Sequence, residues 1–216
     1  MAITFPISLA SFFDGLRVRS RVFSLGEAVE VSETGGGEVL TADYGPRLWG
    51  GSIEIVRGEA SILAQAMAMA EVLREAGGSF YIYDKAQPFP AADLTGEILG
   101  ATVPTLSAIA ANRKQISLAG LPAGYVVSAG DKLSFSYDGG RRALHKVIVG
   151  GTATALGALA SIEVRPHVRP DATLDVAVSL AKPACKAVLL PGSYQDGSRD
   201  PGLSGTPSFS WVQTLR

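Results

Sequence analysis

The chain has 216 residues, 47% of them apolar and 18% charged, with 19 lysines and arginines against 20 aspartates and glutamates for a formal net charge of −1. That balance speaks against a dedicated nucleic-acid binder, and the apolar share against general disorder, while the length allows one large domain or two small ones. No apolar run reaches the roughly 18 residues that a membrane-spanning helix needs, because even ILAQAMAMAEVL is broken by Gln65 and Glu71.

The first residues, MAITFPISLASFFDG, lack the basic start and cleavage site of a signal peptide, so they read as mature sequence made in the cytoplasm. Residues 16–31, LRVRSRVFSLGEAVEV, and 47–56, RLWGGSIEIV, are rich in β-branched and aromatic residues, with TGGGE and DYGPR as turn segments between them. They are expected to be strands joined by a hairpin-like loop. Arg17, Arg19 and Arg21 alternate with Val18, Ser20 and Val22, and a period of two places all three on one strand face. Two readings of that face stay open: a solvated edge protected against aggregation, or a charged lining turned to a partner or a channel.

From Glu59 to Ala76 the residues Ile62, Leu63, Ala66, Met67, Ala70 and Leu73 recur at helical spacing, with Glu59 at the positive end and Gly77–Gly78 as the stop. This predicts one helix over 59–76, with Met67 in core packing. SFYIYD follows as a short strand with Phe80 and Ile82 on one side. KAQPFPAADLTG then breaks regular structure and marks a boundary near residue 93.

Residues 94–175 hold short alternating runs, KQISLAG, KLSFSYD, RALHKVIV and ALASIEVRP, at the spacing of a small barrel or sandwich. Asp138-Gly139-Gly140 between two of them is a hairpin signal, so its glycines have a structural explanation. The chain returns through LDVAVSLAKPACKAVLLPG and a long loop to SFSWVQTL, in which Phe209 and Trp211 share a face. That last strand suits the first sheet. The expected fold is therefore mainly β (α+β): a β-sandwich-type domain with one packed helix, made of residues 1–93 and about 176–216, and a small inserted β-barrel or sandwich over 94–175.

Reactive chemistry is sparse. Cys185 stands alone and reads as a small core residue. His145 and His167 lie 22 positions apart with no carboxylate companion, a poor basis for a metal site, and each reads as structural or exposed. No phosphate loop, dinucleotide fingerprint or nucleophile elbow occurs, and the carboxylates Glu54, Glu59, Glu71, Asp84 and Asp93 form no acid–base pair. No catalytic, cofactor-binding or metal-binding residue is assigned, and the expectation is a non-enzyme.

The succession RVRSRVFSLGEAVEVSETGGGEVLTADYGPRLWGGSIEIV, an Ala-rich helix, GGSFYIYDKAQPFPAAD, and a β module with GLPAGYVVSAGDKLSFSY and ALHKVIV resembles the distal tail (tail-tip) proteins of long-tailed bacteriophages and gene transfer particles. The resemblance covers most of the chain as an arrangement. It implies a structural virion component at the tail tip, made in the host cytoplasm: a ring, usually a hexamer, joining the tail tube to the hub and baseplate proteins. DNA would pass through its channel without specific binding. Under it Arg17, Arg19 and Arg21 are candidates for an interface or the lumen. The inserted module is smaller than the carbohydrate-binding outer domain common in that group. A tail tube subunit, with TGGGE at 34–38 as an inter-ring loop, and a glycan-binding module of the tail tip are the alternatives.

Overall fold

The computed structural model describes residues 3–197, 199–200 and 203–216. In chain order the first strands are β1 (Val18–Leu25), β2 (Val29–Glu33), β3 (Val39–Asp43), β4 (Trp49–Ile55) and β5 (Gly58–Glu59), followed by helix α1 (Ala60–Leu73) and β6 (Phe80–Tyr83). Next come β7 (Thr105–Ile109), β8 (Gln115–Ala119), β9 (Val126–Val127), β10 (Lys132–Tyr137), β11 (Arg141–Val149), β12 (Gly151–Thr152), β13 (Leu159–Arg165) and β14 (Val178–Ser179). The chain ends with β15 (Ala184–Leu189), β16 (Arg199–Asp200), β17 (Leu203–Ser204) and β18 (Ser208–Gln213). The fold is mainly β with a packed helix, as the alternating runs predict.

Five strands form the first sheet in the order β1-β4-β18-β15-β6. The C-terminal strand thus sits at its centre, between β4 and β15. Register assigns its two faces: Phe209 opposes Ile53 and Trp211 opposes Gly51, while Cys185 opposes Ile82 and Ala187 opposes Phe80. These side chains share one face, and they are buried. The other face carries Ser20, Ser24, Ser52, Ser208 and Ser210, all exposed or half-buried. Pleating alone separates an aromatic core from a hydroxyl-rich surface.

The sheet curls into a half-barrel. Gly51 permits this, because a Cβ there would fall far inside contact distance of the Val22 carbonyl on β1. The curl brings Arg21 on one outer strand within 3.5 Å of Asp84, which follows the other. A π-helical turn at Leu9–Phe13 covers the core with Phe12 and Phe13, and Ile7 bridges to Phe80 beside it. Residues 7–13 are thus an integral part of this layer.

Helix α1 ends at Leu73, three residues before the expected end, and a turn carries the chain to Gly78. Leu63, Ala70 and Leu73 are buried, and Ala66 and Met67 pack against the same core. The side chains of Glu59 and Ile62, assigned above to the helix start and its apolar side, lie outside the described residues. Among the described residues no helix is long and apolar enough to cross a membrane.

The second sheet, β14-β10-β11-β13-β8-β7, is built from residues 105–179 around a separate core that includes Leu106, Leu133, Phe135 and Ile162. Its two ends meet. Leu106 N donates to Val176 O and Val178 N to Pro104 O at 3.0 and 2.8 Å, and Thr105 bridges to Ala177, so the sheet closes as a barrel. The Asp138-Gly139-Gly140 turn joins β10 to β11, and all three residues have positive φ, at 23°, 67° and 89°.

Buried polar contacts fasten the two sheets together. Trp49 Nε1 donates to Leu144 O at 2.8 Å, Gln213 Nε2 donates to Arg142 O at 3.4 Å while its Oε1 accepts from Trp49 N within the first sheet at 3.1 Å, and Ser134 Oγ accepts from Ala184 N at 3.1 Å. Asp131, wholly buried in the barrel, accepts from Ala91 N at 2.8 Å and Gln87 Nε2 at 3.0 Å in the connecting segment.

Candidate functional site

The three arginines do not form one stripe. The β1–β4 register slips between Val18 and Ser20, and this bulge breaks the period of two on which the alignment of Arg17 with Arg19 and Arg21 rests. Arg21 opposes Ile53 on the core side of the sheet, reaching Asp84 at its margin. Arg19 pairs with Glu54 on β4 at 3.2 Å. Arg17 is exposed, and its carbonyl accepts from Val56 N at 2.8 Å. Of the three, Arg19 alone reaches the outward sheet face, where its partner Glu54 stands among the serines.

Strands β2 and β3 form an antiparallel ribbon that leaves the sheet as an arm. Thr34 and Glu38 close its tip, with Gly37 at φ 81°, so the TGGGE segment is a hairpin turn. Every residue of both strands is exposed. Val29, Val31, Val39 and Leu40 are among the large apolar side chains left in water. The segment 27–43 also holds Glu27, Glu30, Glu33, Glu38 and Asp43 and no lysine or arginine.

A cleft of about 470 Å3 opens where the root of the arm, the barrel and the C-terminal segment meet. Arg47 comes from the arm side, Lys114 from the β7–β8 turn, and Arg165, His167 and Arg169 from the end of β13 and the segment after it. Among the described residues Asp43 is the one carboxylate residue on its wall. Arg47 Nε donates to Gly26 O at 2.9 Å, and Arg165 pairs with Glu163 at 2.6 Å outside the cleft. Burial and the neighbouring charges of Arg165 and Lys114 lower the His167 pKa below its ordinary value, against the opposing pull of Asp43.

His145 stands in the cleft wall and is 1% exposed. Its Nδ1 lies 2.8 Å from Pro166 O, a pure acceptor, which assigns the proton to Nδ1 and leaves Nε2 as a bare acceptor. No group among the described residues bonds to that Nε2. The ring stacks on Phe135 with centroids 5.3 Å apart. Burial pulls its pKa down to about 4, so the imidazole is neutral at pH 7. Of the two histidines, then, one is buried wall and the other exposed rim.

Cys185 is wholly buried in the first core, and burial pushes its thiol far above the ordinary range. Asp93 accepts from Leu99 N at 2.9 Å and Ile98 N at 3.2 Å and is engaged in holding the connecting segment. Among the described residues no three of His, Cys, Asp and Glu gather where a metal could bind.

Sequence reasoning did not assemble this cleft, because its cations come from three separate segments. The available signal is RPHVRP at 165–170, in which Arg165, His167 and Arg169 alternate in a proline-stiffened stretch and can face one way. No protein-family model matches the chain, and no curated protein matches it.

Proposed function

We propose that this chain is a structural, non-enzymatic ring subunit of a phage-type tail tip, joining the tail tube to the hub and baseplate proteins around the DNA channel. The β2–β3 arm is the observation that carries the reading. A two-stranded ribbon with both faces in water is at best marginally stable, so its valines and leucine favour an arm ordered against another surface. Strand β1 offers an acceptor, since it lies at the margin of its sheet and, among the described residues, pairs only with β4. The opposite margin is covered by Ile7, and the barrel is closed.

Donor arm and acceptor edge are different surfaces of one molecule. Contacts of that kind run head to tail and close into rings when the rotation permits. The hexameric copy number and the tail-tip position follow from the resemblance to distal tail proteins. In the ring the serine-rich sheet face is the candidate channel lining; its charges are the Arg19–Glu54 pair and Lys186, few enough cations for DNA to pass without specific binding.

Light scattering on the purified chain, followed by negative-stain images, tests the proposal. One-layer rings with a central opening are expected, and V31D combined with L40D should reduce them to monomers that melt at the same temperature. Long stacked tubes would transfer the chain to the tail tube, and a monomer at every concentration would overturn the ring.

A further inference from the structure

The cleft at the root of the arm suits an occupant that the chain itself supplies. We propose that it receives the arm tip of a neighbouring copy, with the Glu33 and Glu38 carboxylates of that copy meeting the cations of the cleft. This rests on the ring reading above and names the site that completes the contact.

With Arg165 paired to Glu163, the wall sets Arg47, Lys114 and Arg169 against Asp43. The side chains of Lys114 and Arg169 make no hydrogen bond or ion pair among the described residues. The arm carries the opposite charge. Glu33 and Glu38 bracket its closing turn, both are exposed, and segment 27–43 holds no cation to neutralise them. Opposite charges on two surfaces of one molecule draw copies together head to tail and work against arm-to-arm and cleft-to-cleft pairing.

The shape of the tip agrees. Gly35, Gly36 and Gly37 leave it no thicker than backbone. Gly37 alone of the three has a positive φ; a Cβ on Gly35 would meet nothing, and one on Gly36 only the Thr34 hydroxyl at an ordinary 3.8 Å. The fold of a single copy therefore does not require glycine at 35 and 36, whereas close approach to a second surface does. A cleft of about 470 Å3 admits a bare turn more readily than one padded with side chains. The site also adjoins the acceptor edge. Strand β1 ends at Leu25, and the next carbonyl, Gly26 O, accepts from Arg47 Nε of the cleft. The edge of β1 takes the backbone of the arm and the cleft its charged end.

Light scattering on charge-reversed full chains tests this. K114E with R169E, and separately E33K with E38K, should each raise the concentration needed for rings about tenfold or more, while melting like the V31D, L40D monomer. The chain carrying all four reversals should assemble as the natural one does, and the two double variants should associate when mixed although neither assembles alone. G35V with G36V should weaken assembly and leave the melting temperature of the monomer as it was. Rings that survive both reversals unchanged would overturn this contact and leave the ring reading standing. A loss that neither the fourfold variant nor the mixture restores would also overturn it. A natural chain that stays monomeric at every concentration would overturn both.

Discussion

Arg21 and Asp84 belong to opposite margins of a five-stranded sheet, yet their side chains meet at 3.5 Å. Asp84 also takes Lys132 Nζ of the barrel at 3.0 Å, which itself reaches Gln87 Oε1 at 3.3 Å. One carboxylate therefore ties the curl of the first sheet to the second. Lys132 is the more demanding partner, with its side chain only 7% exposed. Asp84→Ala leaves that ammonium buried without a counter-charge and should cost about 2–4 kcal/mol, whereas Arg21→Ala should cost about 0–1 kcal/mol. Urea unfolding of both variants checks the ranking, and equal losses would contradict it.

Gly51 should tolerate no side chain. Its missing Cβ is occupied by backbone of β1, which cannot swing away as a side-chain tip can. Gly51→Ala is expected to lose about 2–4 kcal/mol by overpacking and to loosen β1 from β4. Hydrogen exchange across Val22–Leu25 would report that loosening, and unchanged protection there would count against it.

Acid should weaken the fold through His145. Its folded pKa, depressed by burial to about 4, lies below the ordinary 6.5, so the unfolded chain takes up the proton first. The stability from keeping it neutral is complete above pH 6.5 and drains away as the pH falls towards 4, at up to about 1.4 kcal/mol per pH unit. Melting temperatures between pH 7 and pH 4 should fall more steeply for the natural chain than for His145→Phe. Parallel curves would show that another group governs acid sensitivity.

Trp49 bonds across the junction of the two sheets, its indole N–H donating to Leu144 O. Trp49→Phe keeps most of the apolar volume and leaves a buried carbonyl unsatisfied, for an expected loss of about 1–3 kcal/mol. Limited proteolysis of the 84–104 connection should quicken in this variant, since that segment is held against the barrel when the junction is closed.

Much of this architecture is legible in the residues. Alternation in KLSFSYD and RALHKVIV around Asp138-Gly139 specifies the β10–β11 hairpin, because turn chemistry and periodicity agree locally. The helix core positions Leu63, Ala70 and Leu73 follow from spacing in the same way. The bulge at Val18–Ser20 is different. Nothing in VRSRVFSL marks an extra residue; the slip shows only in the pairing, where Val18 opposes Ile55 and Ser20 opposes the adjacent Glu54. Strand β7 was hidden in residues 94–114 by small residues and Pro104, and its pairing with β8 and residues 176–178 is a long-range event. The cleft was illegible for a related reason: Arg47, Lys114 and Arg169 become neighbours only when arm, barrel and C-terminus converge.

In the first sheet, Tyr83 and Ala184 are directly paired on adjacent antiparallel strands. Seen from that sheet, the whole segment 84–183, barrel included, occupies the place of a hairpin loop. Its entry and exit lie side by side, so a short turn could replace it without moving any of the five strands. A different module can accordingly stand in that place while the half-barrel beneath keeps its geometry, given new partners for Arg21, Trp49 and the Ala184 N–H at the junction.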